Sequence, residues 1–290
     1  MIVVGDLVTD VLVAHDDPIA FGSDTAASIT GSGGGQGANA AAWLARAGRE
    51  VTLVAAVGDD PAGRERAAEL TADGVRCAVR AHPGATTGSV VVLTGRGERT
   101  LITDRGASAL LDPHDVVAAV SAAPARHLHL SGYPLLHEGP RPAGLAALAA
   151  AAERGLTSSV DAASAAPLRS VGAAAFLAWV RDVDLLLANQ DEAEVLAGPG
   201  PAAEQAQRLT AHVANAVVKR GAAGAVWAAR NGPVRAVTAV PVRVKDLTGA
   251  GDAFAAGLLA AWCSGAEPEA ALEAGAALGA EAVAKLGARP

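Results

Sequence analysis

Rings, lysine and sulfur are scarce in this sequence. Its 290 residues include three Phe, four Trp and one Tyr. Any sizeable core must therefore be packed with small and branched aliphatic side chains. Lysine occurs only at Lys219, Lys245 and Lys285, and none is followed by Ser or Thr, which excludes a P-loop. The two cysteines, Cys77 and Cys263, lie far apart without metal-ligand spacing and are expected to be reduced and buried. No apolar run approaches the ~20 residues needed to span a bilayer. The opening "MIVVGD" shows no basic leader or cleavage site, so a soluble cytoplasmic protein is expected. The net charge of −7 argues against a general nucleic-acid binder. An anion would have to be held locally, by backbone amides or a few well-placed Arg and Lys side chains.

What the sequence has is aliphatic strands alternating with Ala-rich helices. The runs "MIVV", "VTLVAAV" (51–57), "HLHLS" (127–131), "LTSSVD" (156–161), "VDLLLAN" (183–189) and "NAVVKR" (215–220) read as strands. Helical periodicity occupies 37–48, 61–72, 141–154, 202–212, 249–263 and 268–285. Continuous apolar strands separated by helices predict a parallel sheet covered on both faces, with ligands gathered beyond the carboxyl ends of the strands. Two stretches break the alternation. Residues 7–30, and 86–104 with its "GRGE" turn, each read as a pair of half-polar strands. Together they predict a small antiparallel sheet standing off the main body as a lid.

Two glycine-rich stretches carry the chemistry. In "DLTGAGDAF" (246–254), Gly249-Ala250-Gly251 opens an apolar helix. A helix N-terminus offers unpaired amides and a positive dipole, so such a loop can close around an anion, with the Thr248 hydroxyl added. Asp252 then falls in the first helical turn. A carboxylate there is a poor partner for a phosphate but suits a base that deprotonates a hydroxyl attacking it; helix capping accounts for the same residue equally well. The second stretch is "GSGGGQGANAAAWLARAG" (31–48), whose glycines suit either close ligand approach or a hinge. Gly33-x-Gly35-x-x-Ala38 loosely meets a dinucleotide fingerprint, but its preceding strand is polar and no acid follows at the usual distance.

The two stretches, in this order, resemble the paired signatures of the ribokinase-like (PfkB) carbohydrate kinases. Gly34-Gly35-Gln36-Gly37-Ala38-Asn39-Ala40 is similar to the first, and Asp246-Leu247-Thr248-Gly249-Ala250-Gly251-Asp252 to the second. The likeness extends along the chain through "VVGDLVTDVLV", "VAAVGDDPAG", "ANQDEAEVL", "VVKRGAAGAV" and "AVAKLGARP". It implies one ribokinase-like α/β domain over 1–290, a three-layer sandwich with a mostly parallel central sheet and a small β-sheet lid from about 7–30 and 86–104. It also implies transfer of a phosphoryl group from ATP, with Mg2+, to a primary hydroxyl of a small sugar.

By that resemblance, Asp252 is the base, and the amides of Gly249, Ala250 and Gly251 form the anion hole. Asp10, Gly34, Gly35, Gln36, Asn39 and Arg105 face the sugar. Asn189, Lys219, Gly221, Gly224 and Thr248 face the nucleotide. Glu192 acts on Mg2+ through water, and Asp246 with Thr248 fits a K+ site. Gln36 stands where ribokinases commonly carry Lys, which points away from ribose itself. Gly275 stands at an estimated adenine-side position where an Asn is common. The lid stretches contain a single aromatic, Phe21, which favours a bare sugar over a nucleoside. Arg99 and Arg105 could hold a carboxylate or phosphate on the sugar, or form surface ion pairs. Tyr133 lines the pocket or packs, and His127 and His129 share a strand face without a third metal ligand. The four Trp read as core. Two apolar lids could clasp each other in a homodimer. A catalytically idle sugar or nucleotide sensor on the same fold is the competing class.

Overall fold

Successive side chains along the short strands enter two different cores. Ile2 and Val4 pack with Leu128, Leu130, Val160, Leu186 and Val218 in one cluster. Val3 packs with Leu53, Leu185, Leu187, Val217 and Trp227 in the other. Side chains alternate across a pleated strand, so a strand apolar at every position needs cover on both sides. A computed structural model, which describes residues 1–95 and 98–290 apart from the side chains of Glu98 and Arg99, shows that cover. Arg96 and Gly97 of the "GRGE" turn and the Arg99 side chain thus lie outside the described residues.

The strands are β1 (Ile2–Val4), β2 (Val8–Ala14), β3 (Ser28–Gly34), β4 (Thr52–Gly58), β5 (Arg76–His82), β6 (Ser89–Gly95), β7 (Glu98–Asp104), β8 (His127–Ser131), β9 (Thr157–Asp161), β10 (Leu185–Asn189), β11 (Asn215–Lys219), β12 (Ala225–Ala229) and β13 (Arg235–Val237). Nine of them form one sheet in the order β13-β12-β11-β10-β9-β8-β1-β4-β5. Its pairs are parallel from β5 through β11, and β12 and β13 add antiparallel at one edge. Helices Pro113–Ala122, Arg141–Glu153, Gln190–Ala197 and Ala202–Leu209 cover one face. Helices Gln36–Arg46, Pro61–Ala72, Ala250–Trp262 and Pro268–Val283 cover the other. This is the expected α/β/α sandwich.

From β1 the sheet grows toward β4 and β5, then resumes on the other side at β8. The order reverses between β1 and β8, and a crevice opens beyond the carboxyl ends at such a point. Asp6, Ser131, Asp161, Asn189 and Lys219 stand at or just past those ends.

The second sheet has the order β3-β2-β6-β7, so both irregular stretches do combine. It is mixed, where an antiparallel sheet was expected: β2 and β6 run parallel, with Asp10 opposite Val90. Both strands leave the main sheet from its carboxyl end, one after β1 and one after β5, and therefore rise in the same direction.

Packing of small residues brings helices close. A Cβ at Gly257 would lie 2.4 Å from the Ala274 carbonyl oxygen on the neighbouring helix. Gly275 fills the same seam: a Cβ there would sit 2.9 Å from the Phe254 carbonyl and 3.1 Å from its ring, so this residue serves helix packing. Trp43 and Trp227 are core residues, whereas Trp179 and Trp262 are partly buried at its margin. Both cysteines are free and half-buried, less enclosed than expected. Among the described residues no helix is long and apolar enough to cross a membrane. Gly257→Val is expected to destabilise the fold by roughly 1–3 kcal/mol through overpacking. Urea unfolding would show this as a lower midpoint at constant slope; an unchanged midpoint would remove the close-approach argument.

Candidate active site

The crevice holds a cavity of about 370 Å³ lined by residues from both sheets. Asp6, Asp10, Gly35, Gln36, Asn39, Arg105 and Tyr133 line one part, and Asn189, Glu192, Lys219, Gly221, Thr248, Gly249, Gly251 and Asp252 the other, with Asp161 between. Two motifs more than 200 residues apart thus meet across one space. Gly34, Gly224, Asp246 and Ala250 do not line it.

Asp252 sits in the first turn of helix Ala250–Trp262, whose N-cap, Gly249, has φ 74°. Glycine is needed there twice over, because a Cβ would also lie 2.3 Å from the Ala288 carbonyl. The Ala250 amide is spent on a turn bond to Leu247 O at 3.3 Å. The first-turn amides of Gly251 and Asp252, which no helix can satisfy internally, face the helix end. Asn39 Nδ2 donates to Asp252 Oδ2 at 2.9 Å. Burial pushes the Asp252 carboxyl up to about 8; the Asn39 bond pulls it down, Asp161 raises it and Lys219 opposes that.

One ammonium serves several acids. Lys219 Nζ donates to Asp161 Oδ2 at 2.6 Å, with both side chains largely buried. Burial depresses the Lys219 ammonium, but Asp161, Glu192 and Asp252 outweigh that and hold its pKa above the ordinary value. Gln36 Nε2 donates to the other Asp161 oxygen at 3.0 Å and its carbonyl accepts from Ser131 Oγ at 2.6 Å. Lys219 is thus at the centre of the cavity: a side chain at Gly251 would begin 3.5 Å from its ammonium.

Asn189 and Glu192 form a capping box on helix Gln190–Ala197: the Glu192 amide donates to Asn189 Oδ1 at 2.9 Å and the Asn189 amide to Glu192 Oε2 at 2.8 Å. Burial, then the charge of Asp161, pushes the Glu192 carboxyl up to about 7. A buried carboxyl that resists ionisation fits a site completed by a cation, and Glu192 is the group placed to face one. Asp246 turns away from the cavity. Its carboxylate accepts from the Thr248 amide at 2.9 Å, the Thr248 hydroxyl at 2.7 Å and the Gly287 amide at 3.0 Å.

The glycines of 33–37 are closed by the protein's own groups. A Cβ at Gly34 would lie 2.1 Å from the Asp10 carboxylate, and at Gly37 2.7 Å from Gly5. Gly35 has φ 97° and packs on Asp6. Gly224 backs onto Val237 at the sheet edge. Arg105 stacks on Tyr133 at 3.9 Å and reaches Asp6 at 3.4 Å, which settles Tyr133 as a pocket residue. His127 and His129 both lie 2.8 Å from Ser159 Oγ, and His127 also 2.8 Å from Thr157 Oγ1. Burial holds them neutral, near 3 and 4, as hydrogen-bonded core residues. Asp6 and Asp161 went unnoticed in the sequence. The strand "LTSSVD" ends on Asp161, so its place at a carboxyl end of the sheet was the available signal.

A doubly covered parallel sheet with an acid in the first turn of a helix whose end faces the cavity suits phosphoryl transfer. A family model for pfkB family carbohydrate kinases matches residues 1–290. The chain is 31% identical over 278 residues to an ATP-dependent ribose-1-phosphate kinase of Halopiger xanaduensis, covering 94% of this chain and 87% of that protein. It is 31% identical over 252 residues to the 2-dehydro-3-deoxygluconokinase of Thermoproteus tenax, covering 82% and 75%. The fold is also that of an E. coli protein solved with ATP and Mg2+, at TM-score 0.88 and 23% identity, covering 99% and 93%. The chain belongs to the PfkB family of carbohydrate kinases. It is a phosphotransferase with an alcohol acceptor, a sugar kinase.

The raised Asp252 pKa has a thermodynamic consequence. A carboxyl at about 8 in the fold against 3.8 when unperturbed contributes stability fully below 3.8, and loses it as pH rises through 8. Asp252→Asn is therefore expected to melt higher than the parent at pH 9, with the gap closing toward pH 4. A parent that melts higher at pH 9 would overturn the assignment of a penalised buried charge.

Proposed function

We propose that the chain uses ATP and Mg2+ to phosphorylate a primary hydroxyl of a small sugar such as a pentose, ketose or sugar acid, with Asp252 as base. The reading rests above all on Asp252: buried, held by Asn39, and set beside free helix-end amides on the cavity wall. Asp10, Gly35, Gln36, Asn39 and Arg105 orient the sugar, whose vicinal hydroxyls need donors and acceptors together. Lys219, Asn189, Gly221 and Thr248 receive the nucleotide phosphates. Glu192 would hold Mg2+ through water, and the ion would offset phosphate charge. Gly34 and Gly224 act as packing positions that shape these surfaces.

In the reaction the sugar oxygen forms a bond to the γ-phosphorus as its proton passes to Asp252. The bond from phosphorus to the bridging oxygen breaks, and ADP leaves. The amides of Gly251 and Asp252 face the charge on the transferred group, and Lys219 stands beside them. Asp252 must be ionised to take the proton, so kcat/KM should rise with pH up to about 8.

ADP release from MgATP against ribose, fructose, ribose 1-phosphate, 2-keto-3-deoxygluconate, adenosine and cytidine, with and without K+, tests the reading and locates the substrate. Asp252→Ala is expected to lower kcat by roughly 10²–10⁴-fold in a protein that still folds. A folded variant with undiminished turnover would remove Asp252 as the base.

The second sheet serves as the lid over the sugar and as the contact between two copies. Ile29 and Ile102 on it are 66% and 58% exposed, and Phe21, in the connection from β2 to β3, is 95% exposed; together they offer an apolar surface that a second lid would cover. Light scattering is expected to report a dimer at micromolar concentration, and Ile102→Asp a monomer. A parent already monomeric would end the dimer proposal.

A further inference from the structure

The segment after helix Pro268–Val283 folds back under the catalytic base. The Gly287 amide donates to Asp246 at 3.0 Å, and the Ala288 carbonyl accepts from the Trp43 indole at 2.9 Å. The same carbonyl closes over Gly249, the N-cap of the base's helix. Arg289 comes next. Its side chain is only 11% exposed and each of its three nitrogens has its own partner. Nη2 donates to the Gly34 carbonyl at 3.0 Å, Nη1 meets Glu69 at 3.3 Å, and Nε donates to Asn39 Oδ1 at 3.4 Å. The guanidinium also lies on Gly33, where a Cβ would fall 2.1 Å from it. Gly33 has no positive φ, and a side chain there would have to push this guanidinium aside.

An Asn amide has two faces that differ only in which end donates. Turned one way, Asn39 gives NH2 to the Asp252 carboxylate and its carbonyl to the guanidinium; turned the other, it sets oxygen against carboxylate and NH2 against guanidinium. Only the first arrangement pairs both ends.

We propose that Arg289 is a positioning residue for the kinase reaction: by holding the Asn39 carbonyl and the Gly34 carbonyl together, it fixes the Asn39 amide as a donor to Asp252 and keeps that base ionisable. The proposal rests on the reading of Asp252 as base. Arg289 acts through Asn39 and does not line the cavity. A donor to the charged form favours ionisation, so losing it moves the titration of Asp252 upward. The other charges facing Asp252 are Asp161, Lys219 and Asp6, and those facing Arg289 are Glu69, Arg66, Asp10 and Asp73. Of these only Lys219 also favours the charged form of Asp252, and its hydrogen bond goes to Asp161.

The test is carbon-13 NMR titration of the aspartate carboxyls in the full chain without substrate, the Asp252 signal being assigned by its loss in Asp252→Asn. In Arg289→Gln its midpoint is expected to rise by about half a pH unit or more, and in Asn39→Ala by at least as much. Adding Arg289→Gln to Asn39→Ala is expected to add nothing, since the two act in series. Arg289→Lys keeps the charge without the fork and serves if the Gln variant does not fold; it is expected to shift the midpoint in the same direction. An unmoved midpoint in a folded Arg289 variant, or full additivity with Asn39→Ala, would overturn the proposal. With the sugar accepted in the ADP assay, the acid limb of kcat/KM should move with the NMR midpoint. The titration needs no turnover, so a chain that shifts as expected but phosphorylates nothing would count against the kinase reading and leave the positioning intact.

Discussion

The buried ion pair between Lys219 and Asp161 sets the charge balance in the part of the cavity that holds Asp252 and Glu192. The two residues end β11 and β9, and β10 runs between them to Asn189. Parallel strands end on one side of a sheet, so side chains at those ends converge without any special loop. The convergence is costly: Asp161, Glu192 and Asp252 would repel one another in a place that solvates them poorly. Lys219 is what makes the cluster tolerable. It remains charged against a strong burial penalty because three carboxylates hold it so. Removing one partner of such a pair typically costs about 3–5 kcal/mol, because the other charge is left buried and alone. The pair therefore constrains both the fold and the charge available to a phosphoryl group.

Small side chains are the second constraint. Ala and Gly replace bulk throughout, and the gain is distance: backbone approaches backbone at Gly5 and Gly37, and helix approaches helix at Gly257 and Gly275. At Gly33 and Gly34 the space is occupied by the guanidinium of Arg289 and the carboxylate of Asp10. A stretch that looks like an opening for ligand is therefore already filled, and only its neighbours Gly35, Gln36 and Asn39 face the cavity. The site's polarity comes from side chains that glycine lets in.

How much of this was legible in the sequence follows from what periodicity and motif can carry. The central strands stood out as short runs, most of them rich in Val and Leu, set between helical periods, and Gly-Ala-Gly-Asp stood out as the opening of an apolar helix, where capping explained the acid as well as a base did. β5, "RCAVRAH", was missed: it is an edge strand, half-exposed and studded with arginine. β12 and β13 were missed because they turn back on their neighbours with no α-helix between, outside the strand–helix alternation. The direction of β2 against β6 depends on where two excursions leave a sheet, and no local pattern records that. Asp161 lies in a run with no motif, and Arg289 in the closing "AVAKLGARP", whose likeness gave it no role; what each does arises from contacts spanning 58 and 250 residues. Gly275 shows the converse, a position expected near a nucleotide that the helix seam claims.

The second sheet is joined to the main body at four places, because each of its two strand pairs enters and leaves separately: after β1, before helix Gln36–Arg46, after β5 and beyond β7. A flap on one tether can tumble, and fixing it over a ligand removes rotational and translational freedom at a cost set against binding. A sheet carried on four supports along one border has a single easy motion, a swing about that border. Closing it orders one coordinate, so most of the entropy of enclosure has already been lost in folding.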